Sequence, residues 1–219
     1  MEWALLGPLP PAARARVMDA TRTRRYAKGD VVFHKGDLGD SLHLVRTGRL
    51  AVRVSTESGE SATLRILRSG DAFGELSLVH PNGSHERTAT VTALELVETL
   101  MLPGTAFERL CASEPQVGRL LTGLLAERVD QLSHRLLEAL YVGVQQRVFR
   151  RLLELVEIYG DGHLPVVIPL TQDDLAGLAG ATRQTVNQAL QGLASQRVVT
   201  LRRGSIEVSD TAALRQRAR

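Results

Sequence analysis

Short runs of alternating hydrophobic and polar residues fill the first half of the chain. Between Tyr26 and Leu102 these runs are rich in Val, Leu and Thr, and turns containing Gly and Asp separate them. Many short strands at close spacing are typical of a compact antiparallel sandwich or barrel. Strands do not alternate with helices here, so a parallel nucleotide-binding sheet is not expected. The runs are VVFH, SLHLVR, LAVRVS, ATLRIL, ATVTAL and LVETLML.

A helical periodicity marks the segments on either side of this region. Residues 11–20 and 103–111 predict short helices, and a long helix is predicted from about Pro115 to Ala139. Its main apolar stripe advances in steps of four, four, three, four and three residues, which is close to a heptad pattern and favours a dimer seam. Packing of the helix on its own domain is the alternative, and a second apolar line is available for it. The stripe comprises Leu121, Leu125, Val129, Leu132, Leu136 and Ala139, and the second line comprises Leu120, Leu124 and Leu137.

The C-terminal part of the chain opens with another amphipathic helix, predicted over residues 141–159. Its apolar residues run along one side from Val144 to Val156, and the sequence Gly160-Asp161-Gly162 ends it. The break near residues 141–143 is neither Pro-rich nor Ser-rich. We therefore expect a domain boundary there, with a short hinge.

Positive charge is concentrated in the same part. The 219-residue chain has a formal net charge of +3. Residues 1–140 hold 17 Lys or Arg and 17 Asp or Glu, whereas residues 141–219 hold 10 Arg and 7 acidic residues. An excess of cations is expected where a protein meets phosphates, although an imbalance of this size is also common on surfaces that bind nothing.

Several classes of protein and of site are not expected. No window approaches the roughly 18 unbroken apolar residues of a membrane span, and the N-terminus lacks the features of a secretory signal, so we expect a cytoplasmic protein with no membrane partner. The single cysteine, Cys111, excludes an internal disulfide, a Cys-rich zinc site and a four-thiolate cluster, and packing is its expected role. His80 and His85 lack a ligand pattern around them, so no metal site is expected. The sequence contains no GxxxxGK, GxSxG or HExxH motif, so an enzyme is not expected.

Residues 170–193 predict a helix-turn-helix. Thr171 is a plausible N-cap with Asp174 as its capping-box partner, Gly180 supplies the turn, and Thr182 is a second N-cap. A second helix follows Thr182, and its outward-facing side chains are of the types that read base edges. The predicted DNA-binding residues are Thr171, Thr182, Arg183, Gln184, Thr185, Asn187 and Gln188 in these helices, with Arg202 and Arg203 at the tip of a following β-hairpin that resembles a wing. The alternative is an ordinary helical hairpin with a surface β-turn.

A second motif, GDAFGELSL followed by ERTATV, predicts an anion pocket. Gly74 lets backbone amides approach an anion, Glu75 suits the hydroxyls of a sugar, and Arg87 offers a planar fork for phosphate. Together these residue types suit a phosphorylated sugar. A structural ion pair between Glu75 and Arg87 across a β-turn is the alternative.

The order GDAFGELSL, RTATVTA, long helix and helix-turn-helix resembles the cyclic-AMP receptor family, the bacterial Crp–Fnr regulators. The resemblance covers nearly the whole chain and includes the segment GDLGDSLHLVRTGRL. It implies an α+β protein with an antiparallel β-roll sensor in residues 1–112, a central dimerisation helix in residues 113–140 and a winged-helix DNA-binding domain in residues 141–219. It further implies a homodimer joined by the central helix, with double-stranded DNA and RNA polymerase as partners.

The resemblance also assigns roles in the sensor. It implies that Glu75 binds a ribose hydroxyl and that Arg87, helped by Thr88, binds the cyclic phosphate, with Gly74, Leu76 and Ser77 completing the pocket. The family's Thr-Ser pair, which meets the adenine, falls on Leu132 and Ser133; the serine fits, but leucine cannot hydrogen-bond a base. The stretch between Glu75 and Arg87 is also longer than usual. The effector is therefore cyclic AMP, another cyclic nucleotide or no small molecule.

In the DNA reader, Arg183 matches the family's guanine-reading arginine. Gln184 falls where many members have glutamate, and Gln188 falls where some have arginine. Because an amide suits adenine better than cytosine, we expect a half-site that differs from the TGTGA-like sequence best known for the family.

Overall fold

The computed structural model describes residues 3, 6–55, 61–79 and 85–219. The chain divides into two compact units, Met1–Ser55 with Arg65–Gln131 and Thr56–Leu64 with Leu132–Arg219. The predicted domain boundaries at residues 112 and 140 would separate the central helix from both neighbours, whereas the two units divide that helix between them. The predicted boundaries therefore stay a prediction. His80 lies outside the described residues.

Two antiparallel sheets form the N-terminal β-fold, with strand orders β1-β8-β3-β6 and β2-β7-β4-β5. This confirms the antiparallel β-fold predicted for the N-terminal part. The strands are β1 (Arg22–Tyr26), β2 (Val31–Phe33), β3 (Ser41–Thr47), β4 (Leu50–Ser55), β5 (Ser61–Leu67), β6 (Ala72–Phe73), β7 (Thr90–Ala93) and β8 (Val97–Pro103).

Strand β1 was not predicted, and its composition explains why. Its sequence RTRRY offers no hydrophobic alternation, and four of its five residues are exposed at a sheet edge. Polar side chains at a free edge are expected there because they discourage pairing with another chain. The strand is held by its register with β8 and by an ion pair of 2.9 Å between Arg25 and Glu98.

The sheets enclose one apolar cluster, and a second forms where helices pack beside them. The second cluster includes α1 (Pro11–Asp19), α2 (Gly104–Ser113) and the first half of α3 (Pro115–Tyr141). Leu121 is buried in it, and Leu120 and Leu124 pack against it, whereas Leu137 is exposed. The first cluster contains Val45, Leu50, Leu67, Phe73, Val91, Ala93 and Val97.

Cys111 behaves as a small core residue. It is half-buried and packs against the second cluster, as expected. Burial raises the pKa of its thiol, which makes the thiolate scarce at neutral pH. Among the described residues, no group of three or more His, Cys, Asp or Glu is arranged to hold a metal ion.

Helices and one small sheet form the second unit. The hydrophobic side of α4, with Val148, Leu152 and Leu155 buried, provides its centre. The sheet order is β10-β11-β9, so the predicted hairpin has a third strand, β9, which the sequence analysis did not identify. The elements after α3 are α4 (Val144–Tyr159), β9 (Val166–Ile168), α5 (Gln172–Ala179), α6 (Arg183–Ser195), β10 (Val199–Arg202), β11 (Ser205–Val208) and α7 (Thr211–Arg217).

None of the helices in the described ranges combines the length and the apolar character of a membrane span.

Candidate functional site

Arg87 is the centre of a hydrogen-bonded cluster in the first unit. It lies in the segment before β7, and only 4% of the residue is exposed. Its Nη1 donates to the carbonyl oxygens of Ser41 and Gly74 and to Ser77 Oγ, each at 2.9 Å, and its Nη2 donates to Ser41 Oγ at 3.0 Å. The guanidinium carbon lies 4.1 Å from the centre of the Phe33 ring. These contacts fix the orientation of the cation.

The charge of Arg87 is not neutralised by these contacts. Every acceptor just named is uncharged. Among the described residues, the carboxylate nearest to the guanidinium is that of Asp40, which lies 3.9 Å away with a side chain that is 92% exposed. The Nε of Arg87 has no hydrogen-bond partner in the described part of the chain. Burial lowers the pKa of Arg87, as expected for a cation removed from water. A buried cation of this kind is suited to binding an anion.

Gly74 makes the close approach of this cation to the backbone feasible. Its φ is +86°, and a Cβ there would lie 2.6 Å from Arg87 Nη1 and 2.9 Å from the Ser41 carbonyl oxygen. Only glycine avoids both the strained backbone and the overlap. Ser77, in the short 3-10 helix Leu76–Leu78, donates from Oγ to the Gly74 carbonyl at 3.0 Å while it accepts from Arg87.

Glu75 is buried beside this cluster but does not form an ion pair with Arg87. Its ion-pair partner is Arg128 on α3, with 3.8 Å between Glu75 Oε1 and Arg128 Nε, and Arg128 Nη2 donates to the Ala72 carbonyl at 3.1 Å. The alternative of a structural Glu75–Arg87 pair is therefore wrong. Burial raises the pKa of the Glu75 carboxyl, and this effect outweighs the opposing charges of Arg65 and Arg87.

Arg128 was not among the residues predicted for this site. The other predicted sensor residues are more peripheral: Leu76 is 42% exposed and Thr88 is exposed. Ser133 lies further along α3, in the second unit. The roles predicted for these three residues stay predictions.

In the second unit, the predicted caps of the helix-turn-helix are confirmed. Thr171 Oγ1 accepts from the Asp174 backbone amide at 3.1 Å, and Asp174 Oδ2 accepts from the Thr171 amide at the same distance, which completes a capping box at α5. Gly180 ends α5 in the left-handed conformation, with φ +58°. Thr182 Oγ1 accepts from the Thr185 amide at 3.2 Å and begins α6.

Helix α6 turns one face inward and the other to solvent. Val186, Leu190 and Leu193 are buried, as predicted. Thr185 is half-buried and its hydroxyl shares a 3.0 Å hydrogen bond with Thr182, so it belongs to the cap. The exposed face carries Arg183, Gln184, Asn187 and Gln188.

The arginines of this unit differ in how firmly they are held. Arg183 lies 3.4 Å from Asp173, and both side chains are mostly exposed. Arg202 is paired with Glu207 at 2.8 Å in the β10–β11 hairpin, whose turn is formed by Arg203 and a glycine at φ +75°. Arg147 of α4 donates to the Ala179 and Gly180 carbonyls at 3.1 and 3.0 Å, and so fixes the end of α5.

Comparisons with known proteins agree with both units. A family model of the cyclic nucleotide-binding domain matches residues 23–114, and one of the Crp-like helix-turn-helix domain matches residues 146–217. The chain is 31% identical over 212 residues to a CRP-like cAMP-activated global transcriptional regulator of Mycobacterium tuberculosis, covering 95% of this chain and 93% of the relative. It is 34% identical over 193 residues to the cyclic AMP receptor protein of Thermus thermophilus, covering 88% and 86%.

Solved structures give the same result. The catabolite activator protein of Thermus thermophilus matches with a TM-score of 0.57 and 32% identity, over 98% of this chain and 97% of that one. A CRP/FNR-family transcriptional regulator of the same organism matches with a TM-score of 0.75 and 26% identity, over 90% and 98%. The Mycobacterium tuberculosis relative and the CRP/FNR-family protein are named as transcriptional regulators. The chain is therefore a member of the cyclic-AMP receptor (Crp–Fnr) family, a transcription regulator with a cyclic nucleotide-binding domain and a helix-turn-helix.

Proposed function

We propose that this regulator is a homodimer whose binding to DNA is controlled by a 3′,5′-cyclic nucleotide held at Arg87 and Glu75. The observation that carries the proposal is the buried guanidinium of Arg87, which has four neutral acceptors and, in the described part of the chain, no carboxylate closer than 3.9 Å. A bound phosphate would supply the missing negative charge. Gly74 keeps the backbone beside the cation free of a side chain, which fits the same purpose.

Each residue of the cluster has a distinct proposed role. Arg87 would hold the cyclic phosphate with its planar fork, and the exposed hydroxyl of Thr88 would assist it. Glu75 would accept from a ribose hydroxyl, and Arg128 is a positioning residue that fixes the carboxylate. The remaining members of the proposed pocket are Gly74, Leu76 and Ser77, and a contact of Ser133 with the base is proposed on the family resemblance alone.

Cyclic AMP is a candidate for the nucleotide because two of the named relatives are a cAMP-activated regulator and a cyclic AMP receptor protein, and another cyclic nucleotide is the alternative. One observation favours a second candidate function, a regulator that works without a nucleotide. Leu132, which the family resemblance assigns to a base contact, is apolar and 65% exposed. Such a side chain cannot hydrogen-bond a base.

The exposed apolar side of α3 supports the homodimer. Val129, Leu132, Leu136 and Leu140 are spaced by three, four and four residues, and each is at least 60% exposed. A continuous apolar stripe on a water-facing helix is unfavourable unless another surface covers it. The same stripe on a second copy is suited to do so, because the spacing is that of a two-helix seam.

The second unit is the proposed DNA reader. Helix α6 would enter the major groove with Arg183 on a guanine and Gln184, Asn187 and Gln188 on neighbouring bases. Arg202 and Arg203 would contact phosphates of the DNA. Thr171, Thr182 and Thr185 would hold the two helices against the DNA backbone. RNA polymerase is proposed as a further partner on the family's pattern alone. The cytoplasm is the proposed location, because a regulator must reach the chromosome.

Nucleotide control requires that the ligand bind one arrangement of the dimer better than another. Ligand binding itself is tested by calorimetry on the purified full-length protein, with cyclic AMP and cyclic GMP titrated separately. We expect saturable heat with at least one nucleotide, and its loss in Arg87→Gln and Glu75→Gln. Arg22→Gln, which removes an exposed arginine of β1, is the matched control and should bind as the unmodified protein does.

Circular dichroism shows whether each variant is folded. If Arg87→Gln is not folded, Arg87→Lys replaces it in the test. Absence of heat with both nucleotides, or unchanged binding in a folded Arg87→Gln variant, would refute nucleotide control and favour the regulator that works without one.

A further inference from the structure

We propose that Arg65 is the residue that recognises the base of the cyclic nucleotide, and that it gives this protein a preference for guanine over adenine. The inference rests on the proposed function, because it concerns the same pocket. It adds the class of base, which neither the family models nor the relatives' names decide for this chain.

The starting observation is an unsatisfied donor on β5. The side chain of Arg65 is 24% exposed, and its Nη2 lies 3.2 Å from Asp71 Oδ1. Its Nη1 is buried and has no hydrogen-bond partner in the part of the chain that the structure describes. Buried polar groups are nearly always paired, so an unpaired guanidinium nitrogen indicates a missing acceptor.

The position of Arg65 relates it to the nucleotide pocket. Arg65 and Arg128 line a common cavity of about 670 Å³ together with Asp71 and Ala72, and Arg128 contacts Glu75. Burial raises the pKa of the Glu75 carboxyl; among the charges that oppose this rise, Arg65 has a larger effect than Arg87. The cavity that Arg65 lines therefore adjoins Arg128, the ion-pair partner of Glu75, and has the size that small ligands occupy.

The parts of the ligand can be assigned in turn. In the proposed function, Arg87 holds the phosphate and Glu75 holds the ribose, which leaves Ser133 as the one polar contact proposed so far for the base. Leu132 offers no hydrogen bond to it. Arg128 is already engaged by Glu75 and the Ala72 carbonyl, whereas Arg65 has a buried nitrogen without an acceptor among the described residues.

The chemistry of the two purines then decides the preference. Guanine presents two adjacent acceptors, O6 and N7, which match the two donors of an arginine fork. Adenine presents one acceptor, N7, next to an amino group that is itself a donor. Since arginine has donors only, it would oppose the adenine amino group. Asp71 would hold the fork in place through Nη2.

The test is the ratio of the dissociation constants for cyclic AMP and cyclic GMP, measured by calorimetry on the full-length protein. We expect cyclic GMP to bind at least about tenfold more tightly to the unmodified protein. Arg65→Gln should shift the ratio at least about tenfold toward cyclic AMP, because a glutamine amide matches adenine. Arg65→Lys keeps the charge but loses the fork, so it should reduce the preference without reversing it.

Arg22→Gln, which removes an equal charge from β1, should leave the ratio unchanged. If the unmodified protein prefers cyclic AMP, or if Arg65→Gln leaves the ratio as it was, Arg65 does not read the base and its pairing with Asp71 is structural only. Either result overturns this inference and leaves the proposed function standing. Binding of neither nucleotide would refute the proposed function itself, so the two failures are distinguishable.

Discussion

Arg87 Nη1 donates to the carbonyl oxygen of Gly74 at 2.9 Å, and the same glycine has no room for a Cβ because that nitrogen would lie 2.6 Å from it. The cation and the backbone turn of Gly74 therefore depend on each other. The turn supplies an acceptor that orients the guanidinium, and the guanidinium occupies the space that any side chain at position 74 would need.

Gly74→Ala should accordingly displace Arg87 and weaken nucleotide binding. We expect a loss of stability of about 1–2 kcal/mol from the positive φ alone, and more from the displaced hydrogen bonds of Arg87. The dissociation constant for the nucleotide should rise at least about tenfold. Chemical denaturation and calorimetry measure the two effects.

Gly29→Ala is the matched control for this substitution. Gly29 has a similar φ of +92°, but a Cβ there would meet nothing within 4 Å. The Gly29→Ala variant should lose a comparable amount of stability to backbone strain but keep its affinity for the nucleotide. Equal affinities in the two variants would show that Gly74 does not support the site.

His43 connects the same cluster to pH. The residue is buried, its Nδ1 is 3.2 Å from Thr99 Oγ1 and its Nε2 is 3.3 Å from Ser41 Oγ, and Ser41 in turn accepts from Arg87. Burial first, and the charge of Arg87 second, lower the pKa of His43 to about 4. The folded protein therefore holds this imidazole neutral where the unfolded chain, with a pKa of about 6.5, takes up a proton.

The folded state should consequently lose stability as the pH falls from about 6.5 to about 4. The contribution of His43 is fully present above pH 6.5 and decreases by at most about 1.4 kcal/mol for each pH unit. Urea denaturation of the unmodified protein and of His43→Gln at pH 7.5, 6 and 5 measures it. The free energy of unfolding should fall less steeply with decreasing pH in His43→Gln than in the unmodified protein. His34→Gln, which removes an exposed histidine, should decline as the unmodified protein does. Parallel pH profiles for the unmodified protein and His43→Gln would rule out this assignment.

Two arginines of the second unit should affect DNA binding in different ways. Arg183 is proposed to read a guanine, so Arg183→Ala should cost about 1–3 kcal/mol and relax specificity at that base pair. Arg203→Ala should weaken binding to all sequences alike and lower the salt dependence by about one counterion. Fluorescence anisotropy at several salt concentrations, with matched and mismatched duplexes, distinguishes the effects. Similar losses of specificity in both variants would contradict the proposed division of roles.

The dimer seam gives a further prediction. Leu136→Glu places a charge in the exposed apolar stripe of α3, so it should convert a dimer into a monomer in sedimentation experiments, because burying an unpaired carboxylate at the seam is costly. Leu96→Glu, at a residue that is 74% exposed in the turn before β8, should remain dimeric. A dimeric Leu136→Glu protein would place the interface elsewhere.

Sequence periodicity and turn chemistry predicted most of the fold, and their failures have physical causes. The helix caps at Thr171 and Thr182 were identifiable because capping needs particular side chains at fixed spacings. Strand β1 was missed because its polar residues sit at a sheet edge, and β9 and α7 were missed because three and seven residues carry little periodic signal.

The candidate site was predicted in its residue types but not in its pairing. Glu75 and Arg87 are close in sequence and opposite in charge, yet Glu75 is paired with Arg128 on a distant helix. The environment of Arg65 could not be predicted either, because nothing in the run ATLRIL distinguishes its arginine from a solvent-facing one. Only the packing of β5 shows that one nitrogen of Arg65 is buried without a partner among the described residues.

The central claim is that a cyclic nucleotide bound at Arg87 controls DNA binding. It is tested most directly by the affinity of the purified protein for a labelled duplex selected from a random library, measured at one stated salt concentration with no nucleotide, with cyclic AMP and with cyclic GMP. We predict that at least one nucleotide changes the dissociation constant for DNA about tenfold or more, and that folded Arg87→Gln protein shows no such change. The same dissociation constant under all three conditions would contradict the account.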